Sequence, residues 1–168
     1  EALLKIKQES PRWTSVNMRI YATGSYYDIS DMGLRISMNA SKTSGGNFYF
    51  NGRAADQFLN LSAYPNGGND PRRGYSIYGG NVSLWMRPSG DGFSVNGSVG
   101  RRNVWFQVRP MGSGYSIWGQ MGLNLSAYGL GNGLWMSGSV DLTQFDEQAM
   151  AVLGAVLSVI HSLPPPAK

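Results

Sequence analysis

Hydrophobic and polar residues alternate along most of the chain up to residue 141. Val16, Met18 and Ile20, for example, alternate with Asn17 and Arg19. A period of two residues places successive side chains on opposite faces of a β-strand. The pattern therefore predicts strands near residues 14–23, 33–41, 47–53, 58–64, 75–87, 92–100, 103–109, 114–128 and 133–141.

Short segments rich in Gly, Asn, Asp and Pro separate these strands, for example at residues 44–46 and 88–92. Such residues supply the positive φ angles of tight turns, and short connections join antiparallel neighbours. The segments 75–87 and 114–128 exceed ordinary strand length and contain glycines, so we expect a bend or bulge in each. The predicted fold class is mainly β: a single antiparallel meander of about 8–10 strands that forms a curved sheet or a soluble barrel or half-barrel.

One α-helix is predicted after the last strand, over about residues 143–163, because apolar residues recur at helical spacing from Phe145 onward. Asp141 or Thr143 is expected to cap its N-terminus, and Pro164 to end it. Nearly the whole circumference of this helix is apolar. We therefore expect it to pack on or inside the apolar face of the sheet.

The chain of 168 residues is predicted to form a single β-rich domain over residues 1–163, with strands at about 14–141 and the helix after them, followed by a Pro-rich tail at 164–168. Some short sequences recur. Asn60-Leu-Ser-Ala-Tyr returns at Asn124, and Leu84-Trp-Met returns at Leu134. The two offsets differ, which argues against the constant period of a propeller.

Composition indicates an envelope or secreted protein. Charged residues make up only 14% of the chain, against roughly 25% in ordinary soluble domains. There are 23 glycines and no cysteine, so neither a disulfide framework nor a thiolate metal site can form. We expect a secreted, periplasmic or outer-envelope location, with a signal peptide already removed.

The sequence offers few groups for catalysis. Its sole histidine, His161, falls in the last turn of the predicted helix, where a cation interacts favourably with the helix dipole. The acidic residues fall in predicted turns or near the helix start, and Asp28 and Asp31 are among the turn residues. We therefore predict no enzyme, no catalytic residue, no metal site and no cofactor. The longest apolar run, 149–160, is too short for a transmembrane helix.

The second face of the predicted strands is the main functional clue, because it combines aromatic, amide, hydroxyl and arginine side chains and includes no carboxylate. Flat rings and directed hydrogen-bond groups suit a polysaccharide or another envelope component, although cross-strand packing explains the same residues. The candidate ligand-binding residues are Tyr21, Arg35, Tyr49, Arg53, Tyr64, Trp85, Arg87, Trp105, Arg109, Trp118, Gln120, Tyr128 and Trp135.

Two other functions fit the same pattern. A curved sheet whose interior is not filled by the helix can carry a lipid or another hydrophobic molecule. A small outer-membrane β-barrel also alternates apolar and polar residues, but it needs strands of about 9–11 residues and has no place for an apolar helix in a polar lumen. Nucleic acid is not an expected partner, because the net charge is only +4. No oligomeric state is predicted.

Overall fold

The computed structural model describes residues 10–67, 73–120 and 122–163. The predicted tail at 164–168 and the first nine residues of the predicted domain lie outside these ranges. The strands are β1 (Trp13–Thr23), β2 (Tyr26–Asp31), β3 (Ile36–Lys42), β4 (Phe48–Ala54), β5 (Gln57–Pro65), β6 (Tyr75–Gly79), β7 (Val82–Ser89), β8 (Gly92–Val99), β9 (Arg102–Met111), β10 (Gly114–Gly119), β11 (Leu123–Leu130) and β12 (Gly133–Asp141), and helix α1 spans Glu147–Ser162.

The twelve strands form a closed barrel. Each strand pairs antiparallel with the next along the chain, and β1 pairs with β12 from Trp13 opposite Asp141 to Tyr21 opposite Gly133. Closure leaves no free sheet edge. The predicted fold class, a mainly β antiparallel barrel with one C-terminal helix, is confirmed.

The predicted strand boundaries need three corrections. The segment 75–87 is two strands, β6 and β7, because the chain reverses at Gly80, whose φ of 54° fits a tight turn. The segment 114–128 is likewise two strands, β10 and β11, instead of one bent strand. Strand β2 is absent from the prediction, and Asp28 lies on it with an exposed side chain instead of in a turn.

The apolar face of every strand points into the barrel, where α1 lies. All residues of α1 from Gln148 to Ile160 are buried, on every side of the helix. At one end, Gln148 Nε2 donates to Asn81 Oδ1 in the β6–β7 turn at 2.8 Å. At the other end, the His161 ring meets the Tyr27 ring nearly edge-on, with centroids 6.2 Å apart. The helix therefore runs through the barrel from one end to the other, over about 24 Å.

The expected N-terminal cap of the helix is wrong. Asp146, and neither Asp141 nor Thr143, caps the N-terminus, and its side chain accepts from the backbone N–H of Ala149 at 2.9 Å. His161 lies in the last turn of α1 as predicted and is half-buried, and this burial lowers its pKa, which disfavours the cationic form. The ring is therefore best described as a packing group against Tyr27.

Asp141 instead secures the connection between β12 and α1. Its Oδ1 accepts from the backbone N–H of Arg12 at 2.8 Å, and from the backbone N–H and hydroxyl of Thr143 at 3.0 and 2.8 Å. The backbone N–H of Arg12 is the main cause of a lowered Asp141 pKa. These bonds join the start of β1, the end of β12 and the turn that leads into the helix.

Gly154 allows α1 to approach the wall of the barrel. A Cβ at this position would lie 2.8 Å from Met18 Sδ and 2.9 Å from Ile29 Cγ2. The helix therefore packs closely on β1 and β2. At 16 residues, α1 is shorter than a helix that spans a bilayer, and the described part of the chain contains no helix with the length and hydropathy for such a span.

Candidate ligand-binding groove

The outer face of the barrel is the polar face predicted from the sequence. Eight of the candidate aromatic side chains are exposed there, from 38% for Tyr49 to 47% for Tyr21 and Trp85. The face is not free of acids, because β2 was missing from the prediction and adds Asp28 opposite Tyr21 and Asn39. The apolar side chains lie inside, which is opposite to the arrangement of a barrel whose outer face meets lipid.

The thirteen candidate residues do not form one site, because they are spread around the whole circumference. Tyr21 lies on β1, Tyr49 and Arg53 on β4, Tyr64 on β5, Trp85 and Arg87 on β7, Trp105 and Arg109 on β9, Trp118 on β10, Tyr128 on β11 and Trp135 on β12, while Arg35 and Gln120 lie in loops.

Three strands bring two of the tryptophans together. Trp85 on β7 lies opposite Asn96 on β8, and Asn96 lies opposite Trp105 on β9. The two indoles therefore flank one amide in a single cross-strand row. A second outward row runs beside it, formed by Ser83, Ser98 and Asn103 of the same strands.

A groove lies along these two rows. It consists of adjoining cavities of about 630 Å³ and about 550 Å³, which share Ser83, Asn96 and Gly97. We call this surface the Trp groove, lined by Asn66, Ser76, Tyr78, Ser83, Leu84, Trp85, Asn96, Gly97, Ser98, Asn103, Val104, Trp105 and Gln120. No carboxylate occurs among these lining residues.

Gly97 lies in the floor of the groove, where β7 and β8 approach closely. Its φ is 152°, and a Cβ there would lie 2.1 Å from the backbone oxygen of Ser83. Only glycine fits so close an approach of two strands. The glycine therefore allows β7 and β8 to pair closely beneath the groove, opposite the buried Leu84.

The indole N–H groups of the Trp groove are free to bind a ligand. Among the described residues, neither Trp85 nor Trp105 has a side-chain hydrogen bond, and the same holds for the side chain of Asn96. Trp135 is exposed to a similar degree, 39% against 40% for Trp105, but its Nε1 donates to Asn17 Oδ1 at 2.6 Å. Trp135 thus fits the cross-strand packing interpretation, whereas Trp85 and Trp105 retain unused donors.

Neighbouring side chains hold the two tryptophans in place. The Arg87 guanidinium lies 3.5 Å from the centroid of the Trp85 ring and covers part of it. Trp118 meets Trp105 edge to face, with centroids 6.0 Å apart. Gln120 Oε1 accepts from the backbone N–H of Trp105 at 2.7 Å. Thus five of the six candidate residues on β7, β9, β10 and the following loop, all except Arg109, lie together in one part of the surface.

Several groove residues were not among the predicted candidates, notably Asn66, Ser76, Tyr78, Asn96 and Asn103. Asn96 alternates on the same face of the strand as Ser94 and Ser98, so the sequence was sufficient to predict that it faces outward. Its position between two tryptophans could not be predicted, because it depends on the register of three strands.

Other polar clusters have structural explanations. A cavity of about 230 Å³ is lined by Arg35, Asp56, Asp146 and Glu147 among others. Asp56 lies 3.3 Å from Arg35, and Asp146 caps α1. Within the described ranges, no group of three or more His, Cys, Asp or Glu side chains is placed to hold a metal ion.

No protein-family model, curated protein sequence or solved structure matches this chain.

Proposed function

We propose that the protein is a non-enzymatic polysaccharide-binding protein that uses the Trp groove. The observation that carries this proposal is the row of Trp85, Asn96 and Trp105, in which two exposed indoles with free N–H groups flank an unpaired amide. Sugars present flat apolar faces edged by hydroxyl groups, so a binding site combines aromatic platforms with fixed hydrogen-bond donors and acceptors.

The composition of the groove supports a sugar over other ligands. Among the described residues its lining carries no charged side chain and consists mainly of Ser, Asn, Gln, Tyr and Trp. The nearby Arg87 is held against Trp85. A nucleic-acid site needs a field of free positive charge along the backbone path, which the described part of the lining does not supply.

The location we propose is extracellular, periplasmic or on the cell surface. The low content of charged residues supports it, as does a ligand class that is abundant in cell envelopes. An outer surface rich in Ser, Asn and Tyr, with few acids, fits contact with hydrated polysaccharide.

The alternative of a lipid carrier requires a barrel interior open to an acyl chain. Here α1 lies in that interior and is buried from Gln148 to Ile160. The alternative of an outer-membrane barrel requires an apolar outer face, and this face carries Asn, Ser and Arg side chains. Neither alternative gains support from the described structure.

A glycan array followed by tryptophan fluorescence titration of the best ligand tests the proposal. We expect Trp85→Ala and Trp105→Ala each to weaken binding by about tenfold, or about 1.4 kcal/mol. Trp135→Ala is the matched control, because Trp135 occupies the same Leu-Trp-Met context outside the groove. The proposal fails if no glycan binds the wild-type protein, or if the groove variants lose only stability.

A further inference from the structure

We infer that the Trp groove takes a linear β-1,4-linked glycan that lies across the strands, with one sugar stacked on Trp85, one on Trp105 and one between them beside Asn96. This inference rests on the proposed function, and it adds the linkage of the glycan and the direction in which the glycan crosses the strands.

The spacing of the strands carries the argument. Trp85 and Trp105 lie in one row on β7 and β9, with β8 between them. Strands two places apart are separated by about 10 Å, which equals the disaccharide repeat of an extended β-1,4-linked pyranose chain. In such a chain every second sugar presents the same face, so two platforms at this spacing bind two equivalent sugar faces.

The course of the groove sets the direction of the glycan. The row of Leu84, Gly97 and Val104 lies between the two outward rows and forms part of the lining. The groove therefore crosses the strands instead of following one of them. A glycan in it has indoles and Asn96 along one side and the row of Ser83, Ser98 and Asn103 along the other.

The two sides of the groove suit the two edges of a flat glycan. The pyranose rings of a β-1,4-linked chain form a ribbon, with hydroxyl groups along both edges. The amide of Asn96 binds hydroxyl groups of the middle sugar, between the two stacked sugars, and the serine and asparagine row binds hydroxyl groups on the side of the ribbon away from the indoles. An α-1,4-linked chain coils, so it cannot place alternate sugars on both indoles.

The convex surface of the barrel limits the length of the site. Tyr64 continues the same row through Ser76, but the closed barrel curves away from a straight ligand on this side. Trp85 and Trp105 are therefore the two main platforms, and a trisaccharide spans both of them.

Isothermal titration calorimetry with cello-oligosaccharides and chito-oligosaccharides of one to six sugars tests the inference. In the series that binds, we expect affinity to rise about tenfold from the disaccharide to the trisaccharide, and less than about threefold for each further sugar. Trp85→Ala and Trp105→Ala should each abolish the trisaccharide step. Malto-oligosaccharides, which are α-1,4-linked, should bind at least about tenfold more weakly at equal length.

Matched controls come from the recurring sequences. Trp135→Ala is the control for the two tryptophan variants. We expect Tyr64→Ala to change trisaccharide affinity by less than about twofold, and Tyr128→Ala is its control. Equal affinity for disaccharide and trisaccharide, or equal binding of the α-linked series, would overturn the inference. If another glycan then binds with dependence on Trp85 and Trp105, the proposed function stands. If no glycan binds, both fail.

Discussion

Trp118 on β10 meets Trp105 on β9 edge to face, with ring centroids 6.0 Å apart and an angle of 87° between the ring planes. The contact restrains the orientation of the Trp105 indole, which is 40% exposed. Trp118 is outside the lining of the Trp groove, so we regard it as a positioning residue for Trp105.

Trp118→Ala should therefore weaken glycan binding indirectly, by about threefold to tenfold, because an aromatic pair contributes about 0.5–1.5 kcal/mol. Trp118→Phe retains an edge-to-face partner and should restore most of the affinity. The check is a double-mutant cycle by fluorescence titration. If Trp118→Ala weakens binding equally in a Trp105→Ala background, Trp118 does not act through Trp105.

Gly97→Ala should destabilise the barrel by about 3 kcal/mol or more. The new Cβ would overlap the backbone oxygen of Ser83, and the φ of 152° is strained for any L-residue. Gly112→Ala is the control, because Gly112 also has a positive φ, of 61°, but no heavy atom lies within 4 Å of its Cβ position. That variant should cost only about 1 kcal/mol. Urea unfolding measures both, and equal losses would show that close approach at Gly97 is unimportant.

Leu157→Ala should lower the free energy of unfolding by about 2–5 kcal/mol, because Leu157 is fully buried and the barrel wall cannot collapse freely onto the cavity. Leu130→Ala removes the same atoms from a side chain that is 48% exposed, and should cost less than about 1 kcal/mol. Chemical denaturation compares the two. Similar losses would contradict an interior position for α1.

Asp141→Asn should lower the free energy of unfolding at neutral pH. It should also make that free energy less dependent on pH in the acidic range. The hydrogen bond from the backbone N–H of Arg12 is the main cause of the lowered folded-state pKa of Asp141. Hydrogen bonds from Thr143 lower this pKa to a lesser degree, and burial opposes them. A carboxyl group with a lowered folded-state pKa stabilises the fold above its unfolded-state pKa, and that contribution is lost as the pH falls through the folded-state pKa. Denaturation curves from neutral to acidic pH test this. If the free energy of unfolding falls equally with pH in the variant and in the wild type, groups other than Asp141 cause the loss of stability in acid.

The alternation of residue types was sufficient to predict which side chains face outward, because a strand has only two faces. Trp85, Trp105 and Trp118 were placed correctly on that basis. The sequence did not predict the register of the strands, which decides which outward side chains are neighbours. Asn96 lies between Trp85 and Trp105 only because β7, β8 and β9 pair at these particular offsets, and no short sequence pattern specifies such pairing.

The errors in strand number have a local cause. Glycines at 79 and 80 are compatible with both a bend and a complete reversal, and only the structure distinguishes them. Strand β2 escaped prediction because its outward position at Asp28 carries a residue that favours turns. The helix began later than expected because Asp141 binds Arg12 and Thr143 rather than the first turn of α1.

The enclosure of α1 constrains the order in which the native contacts can form. Its sequence follows β12, yet its side chains fill the space that all twelve strands surround. The helix fills the interior that the closed barrel surrounds, so we expect the joining of the first and last strands and the docking of α1 to occur together, late in folding. Because that step unites residues 13 and 141, it carries a large loop-closure entropy, and we expect it to limit the folding rate.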